Sequence, residues 1–281
     1  MTSTSALQPH EFERPVLDLS ADALRAGLQI MIRGSEDHGG IERYIDAVKL
    51  KSTMFRQALV ENDVAELDLE TFKGLCTFMA TVRRRISEWL NEERFVEMRV
   101  GIVELFDDEE HIDNRVARFC DRFPSDKKHR WVRDLAVELL HNADPERVPM
   151  MNRWIWDVKA NTGVIREIWH GDDVDHMTIK VADNYGTYLM LREELSQFLS
   201  ENGFFRDLLF YVDVLCAQIY AQYICEQGGS YLRVDFSAPE DPMQHTRRLL
   251  GLDGVQPGNG RTRLKSIDGE AFVLEDGTTL N

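Results

Sequence analysis

The strongest constraint on the fold of this 281-residue chain is an apolar repeat between residues 72 and 89. Its members recur at alternating steps of three and four residues: Phe72, Leu75, Met79, Val82, Ile86 and Trp89. This spacing puts the side chains on one face of an α-helix. It is also heptad-like, which predicts side-by-side packing against a second helix. The apolar positions continue through Val96, Val100, Val103 and Phe106, so we predict that the helical stretch continues with them.

The rest of the chain predicts a mainly α protein with a multi-helix, bundle-like body. Ser20 is a suitable cap for a first helix, which Gly34 would end. A further helix is expected after Ser125, which would cap it. Helical periodicity also marks residues 41–62, 107–123, 150–159, 164–170, 184–202 and 204–227. The alternation of residues 177–181 indicates one short strand.

Composition divides the chain into four parts. Residues 1–19 are rich in Ser, Thr and Pro without any period, which predicts a disordered tail. Residues 20–236 form the predicted helical domain, and a subdivision near residues 123–125 is left open. Repeated Pro and Gly make 237–261 a linker. The last part, 262–281, predicts a β-hairpin around Asp268 and Gly269, a pair suited to a type I′ turn.

The charge balance argues against two classes of partner. The chain has 33 Lys and Arg against 49 Asp and Glu, a formal net charge of −16. Such an excess repels nucleic-acid phosphates and anionic lipid surfaces, so we predict binding to neither nucleic acid nor membrane. The densest basic run, Arg83, Arg84 and Arg85, is assigned to the solvated face of the long helix.

Cysteine usage and the absence of targeting signals predict a cytoplasmic protein. The four cysteines are far apart and lie in apolar helical patterns, which is typical of reduced, buried thiols. Residues 1–19 lack the basic start and apolar core of a secretory signal. No apolar run reaches the roughly 20 residues of a membrane helix. The most apolar segment, residues 204–225, is interrupted by Arg206, Asp207 and Asp213.

Potential metal ligands concentrate between Trp131 and His176, together with four of the five tryptophans. Two Glu-x-x-His pairs occur there: Glu138 with His141, and Glu167 with His170. Residues three apart share a helix face, so each pair could ligate one metal ion. Helix bundles with di-iron sites use this unit, and Glu104 is the candidate bridging carboxylate on the preceding helix. A loop site made of His170, Asp173 and His176 is the second variant.

These observations leave two functional hypotheses. The first is a soluble, acidic, helical protein that works through protein–protein interaction, as an assembly factor, adaptor or regulator, with a protein partner or by self-association. It is favoured because the common nucleotide-binding and hydrolase signatures are missing. The alternative is a metal-dependent enzyme, a non-haem di-iron oxidase or oxygenase, with iron or manganese on Glu104, Glu138, His141, Glu167 and His170.

Overall fold

The computed structural model describes residues 16–36, 39–171, 173–228 and 243–252, and the backbone of 263–265 and 271–273. This part of the chain is mainly helical, as predicted. Its α-helices are α1 (Ala21–Glu36), α2 (Glu42–Arg56), α3 (Leu69–Thr77), α4 (Glu92–Phe106), α5 (Ile112–Asp121), α6 (Trp131–Ala143), α7 (Val164–Glu167), α8 (Tyr185–Glu201), α9 (Leu208–Gly228) and α10 (Gln244–Leu249). One π-helical turn, Gln57–Glu61, extends α2, and short 3₁₀ turns join several of the others.

The long helix predicted from residue 72 onward is wrong. Helix α3 ends at Thr77, a series of turns follows, and α4 begins only at Glu92. The apolar residues Phe72, Leu75, Met79, Val82 and Ile86 are nevertheless all buried. Their spacing therefore indicates that these residues are buried, although they do not lie on one continuous helix. The segment around Gly251 packs directly against the Phe78 carbonyl, where an unbroken helix would have continued.

Helix α9 is the central element of the core. It contacts α1, α2, α7, α8 and α10, and its Val212, Leu215 and Cys216 are buried. By length and composition alone, Leu208–Glu226 could cross a membrane, although more than half of that window is buried inside the protein. A buried core helix passes the same test. Asp213, the charge that interrupts this apolar run, is itself buried and paired with His141.

The core is continuous across the subdivision that the sequence left open near residues 123–125. The Phe123 ring lies 4.7 Å from the ring of Trp89 and 6.0 Å from that of Trp131. These aromatic contacts join the elements on either side of Pro124. Phe123 and Trp131 belong to one hydrophobic core cluster, and Trp89 packs against it.

Two segments outside the predicted helical domain pack onto it. In residues 16–19, assigned to the tail, Leu17 is buried and Leu19 forms an isolated β-bridge with Trp169. In residues 243–252, assigned to the linker, α10 docks on α9. The side chains that bury this second segment are Met243, Thr246, Leu250 and Leu252.

One of the two predictions of β structure is wrong, and the other falls largely outside the described residues. Residues 177–181 do not form a strand, because their backbone has no ladder partner; Val181 instead accepts a hydrogen bond from the Trp156 indole at 3.1 Å. Beyond Leu252 only the backbone of two three-residue strands is described, Arg263–Lys265 and Ala271–Val273. The hairpin over 262–281 lies largely outside the described residues and stays a prediction. Residues 1–15 of the predicted tail also lie outside them.

Candidate functional site

Three of the four tryptophans between Trp131 and His176 are core residues. Trp131, Trp154 and Trp156 are buried, whereas Trp169 is half-buried beside Leu19. Packing of large apolar rings therefore accounts for this concentration of aromatic residues. The same packing surrounds the first Glu-x-x-His pair, because almost every residue of α6 is buried.

Glu138 is at the centre of a buried polar cluster between α2 and α6. Its Oε2 accepts hydrogen bonds from the Lys51 ammonium at 3.0 Å and from Asn142 Nδ2 at 3.3 Å. Its Oε1 accepts from Asn152 Nδ2 at 3.1 Å. Lys51 Nζ donates a further hydrogen bond to the Leu250 carbonyl at 3.0 Å. The Lys51 and Glu138 side chains are only 5% and 6% exposed, so this ion pair is part of the core.

The helical spacing of α2 contains a signal for the burial of Lys51. Val48 and Phe55 are buried on α2, and Lys51 lies three residues after the first and four before the second. A lysine at that position belongs to the buried face of the helix, and a buried lysine requires an acidic partner. Helical spacing alone could therefore have placed Lys51 in the core, although it could not have identified Glu138 as the partner.

His141 is held by a different set of groups. Its Nε2 lies 3.0 Å from Asp213 Oδ2 on α9, and its Nδ1 lies 2.8 Å from the Val148 carbonyl oxygen. Burial disfavours the imidazolium form. The attraction of the Asp213 carboxylate, its hydrogen bond and the Val148 carbonyl outweigh that effect, so the pKa of His141 is raised. Both ring nitrogens face acceptors, the arrangement that a doubly protonated imidazole satisfies.

This pair predicts that the stabilisation by Asp213 depends on pH. Because the folded-state pKa of His141 is raised, its contribution is fully present below the unfolded pKa of about 6.5 and is lost as pH rises through the folded value. We expect Asp213→Asn to lower the free energy of unfolding by about 1.5–3 kcal/mol near pH 6 and by clearly less near pH 9. Urea unfolding at both pH values measures the difference.

Asp207→Asn is the matched control for that experiment. Asp207 pairs with Lys49 at 3.0 Å on the surface, so Asp207→Asn removes an ion pair that involves no histidine. The small loss of stability caused by Asp207→Asn should therefore be the same at both pH values. A loss for Asp213→Asn that stays constant or grows as pH rises would contradict the assignment of a protonated His141.

The remaining predicted ligands lie elsewhere, in exposed or partly buried positions. Glu104 is partly exposed and forms an ion pair with Arg122 of the short segment after α5. Glu167 is half-buried on α7, where its charge contributes to raising the pKa of Tyr220, although burial of the phenol is the larger cause. His170 is 69% exposed, and its Nδ1 lies 3.7 Å from Asp18 Oδ1.

The five predicted ligands are therefore not brought together by the described structure. Within the described residues, no group of three or more His, Cys, Asp and Glu side chains is arranged to hold a metal ion. In the loop variant, His176 Nδ1 lies 2.6 Å from Asp173 Oδ1, and both side chains are exposed. The di-metal hypothesis stays a prediction without geometric support, since Glu138 and His141 are already bonded to Lys51 and Asp213.

Among the side chains that the structure describes, the most exposed apolar surface on a long helix is on α4. Val96, Val100 and Val103 are 50%, 50% and 36% exposed. They follow one another at helical steps of four and three residues, so they form one continuous strip, which we call the valine stripe. The opposite face of α4 packs on α5 and α6 through Phe95, Met98, Ile102 and Leu105.

The sequence prediction for α4 had these faces reversed. It assigned Val96, Val100 and Val103 to the buried pattern continued from α3. Because α4 is a separate helix, its rotation is not linked to that of α3, and its larger apolar residues face the core. A helix with apolar residues on two faces could have indicated a second contact surface.

Comparisons with known proteins add no assignment: no family model matches the chain, and no curated protein or solved structure is similar to it.

Proposed function

We propose that this protein acts by binding another protein, as an assembly factor, adaptor or regulator, and that the valine stripe is its contact surface. The observation that carries this proposal is the exposure of Val96, Val100 and Val103 on one helix face. Single exposed apolar residues are common, but a contiguous strip is typical of interaction surfaces. Its i, i+4, i+7 spacing matches the ridge of a second helix laid alongside.

The charges around the stripe define the chemistry of the partner. Glu92, Glu93 and Glu97 on α4 are exposed beside the valines, and Asp107 and Glu109 are exposed after the helix, whereas Asp108 and Glu110 pair with Arg147 and Arg118. Complementary charge favours an amphipathic helix with an apolar ridge and Lys or Arg on its flanks. A second copy of this chain is disfavoured, because each copy carries a net charge of −16 and would bring further carboxylates to the same surface.

The C-terminal segment is proposed as a second contact. A two-stranded hairpin is marginally stable alone in water, so the hairpin predicted for 262–281 gains stability by adding to a surface of the partner. The segment contains Arg263 and Lys265. Deleting residues 262–281 is expected to weaken partner binding and to leave the thermal stability of the helical body unchanged.

Photo-crosslinking from within the stripe tests the main proposal. A photoreactive amino acid at Val100 should crosslink one partner, and the crosslinked peptide should be amphipathic with basic flanks. Val96→Ser combined with Val103→Ser should reduce the yield at least about tenfold, because two apolar contacts are lost. The control, Val16→Ser with Val158→Ser, changes two valines that are 86% and 41% exposed elsewhere and should keep the yield.

Two outcomes would contradict this proposal. Crosslinks to a second copy of the chain would identify self-association instead of a heterologous partner. Equal yields from the stripe variant and the control would show that the valines are not the contact. Circular dichroism and urea midpoints of both variants exclude unfolding as the reason for a lower yield.

We further propose a cytoplasmic location. Cys76 and Cys216 are buried free thiols. Burial, with a smaller contribution from the Glu138 charge, raises the pKa of Cys76, and burial and Asp213 do the same for Cys216. Buried thiols with a raised pKa are unreactive and fit a compartment that keeps cysteines reduced.

A further inference from the structure

One recess on this acidic protein is lined almost entirely by basic side chains. It has a volume of about 460 Å³ and lies between the turns after α3, the start of α6 and the loop after α6. We call it the basic recess. Its polar lining residues are Thr81, Arg84, Arg85, Lys127, Arg130 and Arg153. No carboxylate lines it, although the chain has 16 more acidic than basic residues.

Only part of this positive charge is neutralised by the protein itself. Arg130 Nη2 lies 2.6 Å from Asp157 Oδ2, and Arg153 Nη2 lies 2.8 Å from Asp134 Oδ2. The other three cations, Arg84, Arg85 and Lys127, form no ion pair with any residue that the structure describes. Three uncompensated cations at one recess produce a local positive potential that attracts anions.

Two buried polar atoms at the basic recess also have no hydrogen-bond partner among the described residues. They are Thr81 Oγ1 and Arg153 Nε. A buried donor without an acceptor is unfavourable, so such atoms often mark the position of a bound ligand or ion. Helix α6, 13 residues long, begins at Trp131 directly after Arg130 and has no side-chain cap. The positive end of its dipole adds to the field of the cations.

A second recess adjoins the first. It has a volume of about 580 Å³ and shares Lys127, Arg130 and Arg153 with the basic recess. Its apolar lining includes Phe123, Pro124, Val132 and Val158. The second recess therefore offers apolar contacts beside the shared cations, and the carboxylates of Asp121, Asp126, Asp157 and Asp183 also line it. Each recess has a volume typical of small-molecule sites.

We propose that the two recesses form a binding site for a small organic phosphate. The phosphate group lies in the basic recess on Arg84, Arg85 and Lys127, and the buried Thr81 hydroxyl donates to it after the side chain, which lines the recess, turns towards the ligand. The organic part extends into the neighbouring recess, towards Phe123 and Pro124. Planar guanidinium groups suit this role because they bind phosphate oxygens in pairs. The site is independent of the valine stripe, which lies on α4.

Isothermal titration calorimetry with inorganic pyrophosphate and with ADP tests the proposal on the full chain. Pyrophosphate should bind at low ionic strength and more weakly as salt rises. Arg84→Ser with Arg85→Ser should weaken binding at least about tenfold, since two of the three unpaired cations are removed. The control, Arg33→Ser with Arg56→Ser, makes the same change in net charge at exposed arginines outside both recesses and should bind normally.

A second variant tests the role of the unpaired hydroxyl. Thr81→Val keeps the shape of the side chain and removes an oxygen that has no partner in the described part of the chain. It should leave the urea midpoint unchanged or higher and still weaken pyrophosphate binding. A lower midpoint with normal binding would mean that the hydroxyl has only a structural role.

Four results would overturn the site. If pyrophosphate does not bind, or binds equally to the recess variant and its control, the basic recess is not a specific anion site. ADP that binds no more tightly than pyrophosphate would remove the apolar recess from the site. Tighter binding to a short DNA duplex than to ADP would replace a small molecule by a nucleic acid. If ADP still binds more tightly than pyrophosphate to the variant Arg84→Ser with Arg85→Ser, the phosphate group binds elsewhere.

Discussion

Glu138→Ala is expected to lower the free energy of unfolding by about 3–5 kcal/mol, because it leaves the charge of Lys51 unpaired in the core. The Lys51 ammonium would retain only the Leu250 carbonyl as a hydrogen-bond acceptor. Asn152 would also lose its acceptor on Glu138 Oε1. Urea unfolding at neutral pH, followed by circular dichroism, measures the change.

A double variant separates the loss of charge from the loss of volume. Lys51→Met with Glu138→Gln removes both charges, keeps both side chains close to their original size and leaves an amide oxygen that can accept from Asn152. It should be less destabilised than Glu138→Ala, because no unpaired charge remains buried. This result would identify desolvation of a lone Lys51 as the main cause of the loss.

Glu70→Ala is the surface control for the same measurement. Glu70 pairs with Lys73 at 2.7 Å on α3, and the Glu70 side chain is largely exposed. Exposed pairs of this kind contribute about 0–1 kcal/mol. If Glu138→Ala has no larger effect than Glu70→Ala, Lys51 must reach solvent readily, and the buried cluster does not stabilise the fold as we infer.

Gly251→Ala is expected to detach residues 243–252 from the core and to lower the free energy of unfolding by about 3 kcal/mol or more. A Cβ atom at this position would lie 1.7 Å from the Phe78 carbonyl oxygen and 2.4 Å from its carbon. The backbone φ of +73° adds strain for any residue with a side chain. Relief of the clash requires α10 to move away from the turn after α3.

Hydrogen exchange and urea unfolding together measure this prediction. Undocking exposes Met243, Thr246 and Leu250, all buried in the native protein, so amide protection should fall across residues 243–252. Gly203→Ala is the matched control: its φ is +94°, yet no atom lies within 4 Å of the added Cβ. Gly203→Ala therefore measures the cost of backbone strain alone, which is of order 1–3 kcal/mol. Equal losses in the two variants would contradict a steric role for Gly251.

Local sequence features predicted several elements of the fold correctly. The Ser20 hydroxyl accepts a hydrogen bond from the Ala23 amide at the start of α1, as expected for a capping serine. The apolar positions Ile45, Val48 and Phe55 of α2 are buried as their spacing indicated. Such features depend on residues within one or two helical turns, which is the range over which sequence patterns report structure.

The candidate sites were harder to predict from the sequence. The Glu-x-x-His spacing of Glu138 and His141 indicated a shared metal ion, whereas the structure bonds Glu138 to Lys51 and His141 to Asp213. A carboxylate or imidazole on a buried helix face requires a partner, but the spacing does not say which one. Arg84 and Arg85 of the basic recess were likewise assigned to a solvated helix face that does not form.

The sequence by itself determined that the chain is mainly helical, where most of its helices lie and which apolar residues of α2 and of the 72–86 region are buried. Only the tertiary structure decided that α3 ends at Thr77, which face of α4 is exposed and which group pairs with each buried charge. The physical reason is distance along the chain. Lys51 contacts residues 87 and 199 positions away, and His141 contacts one 72 positions away, so their partners are set by how separate helices pack.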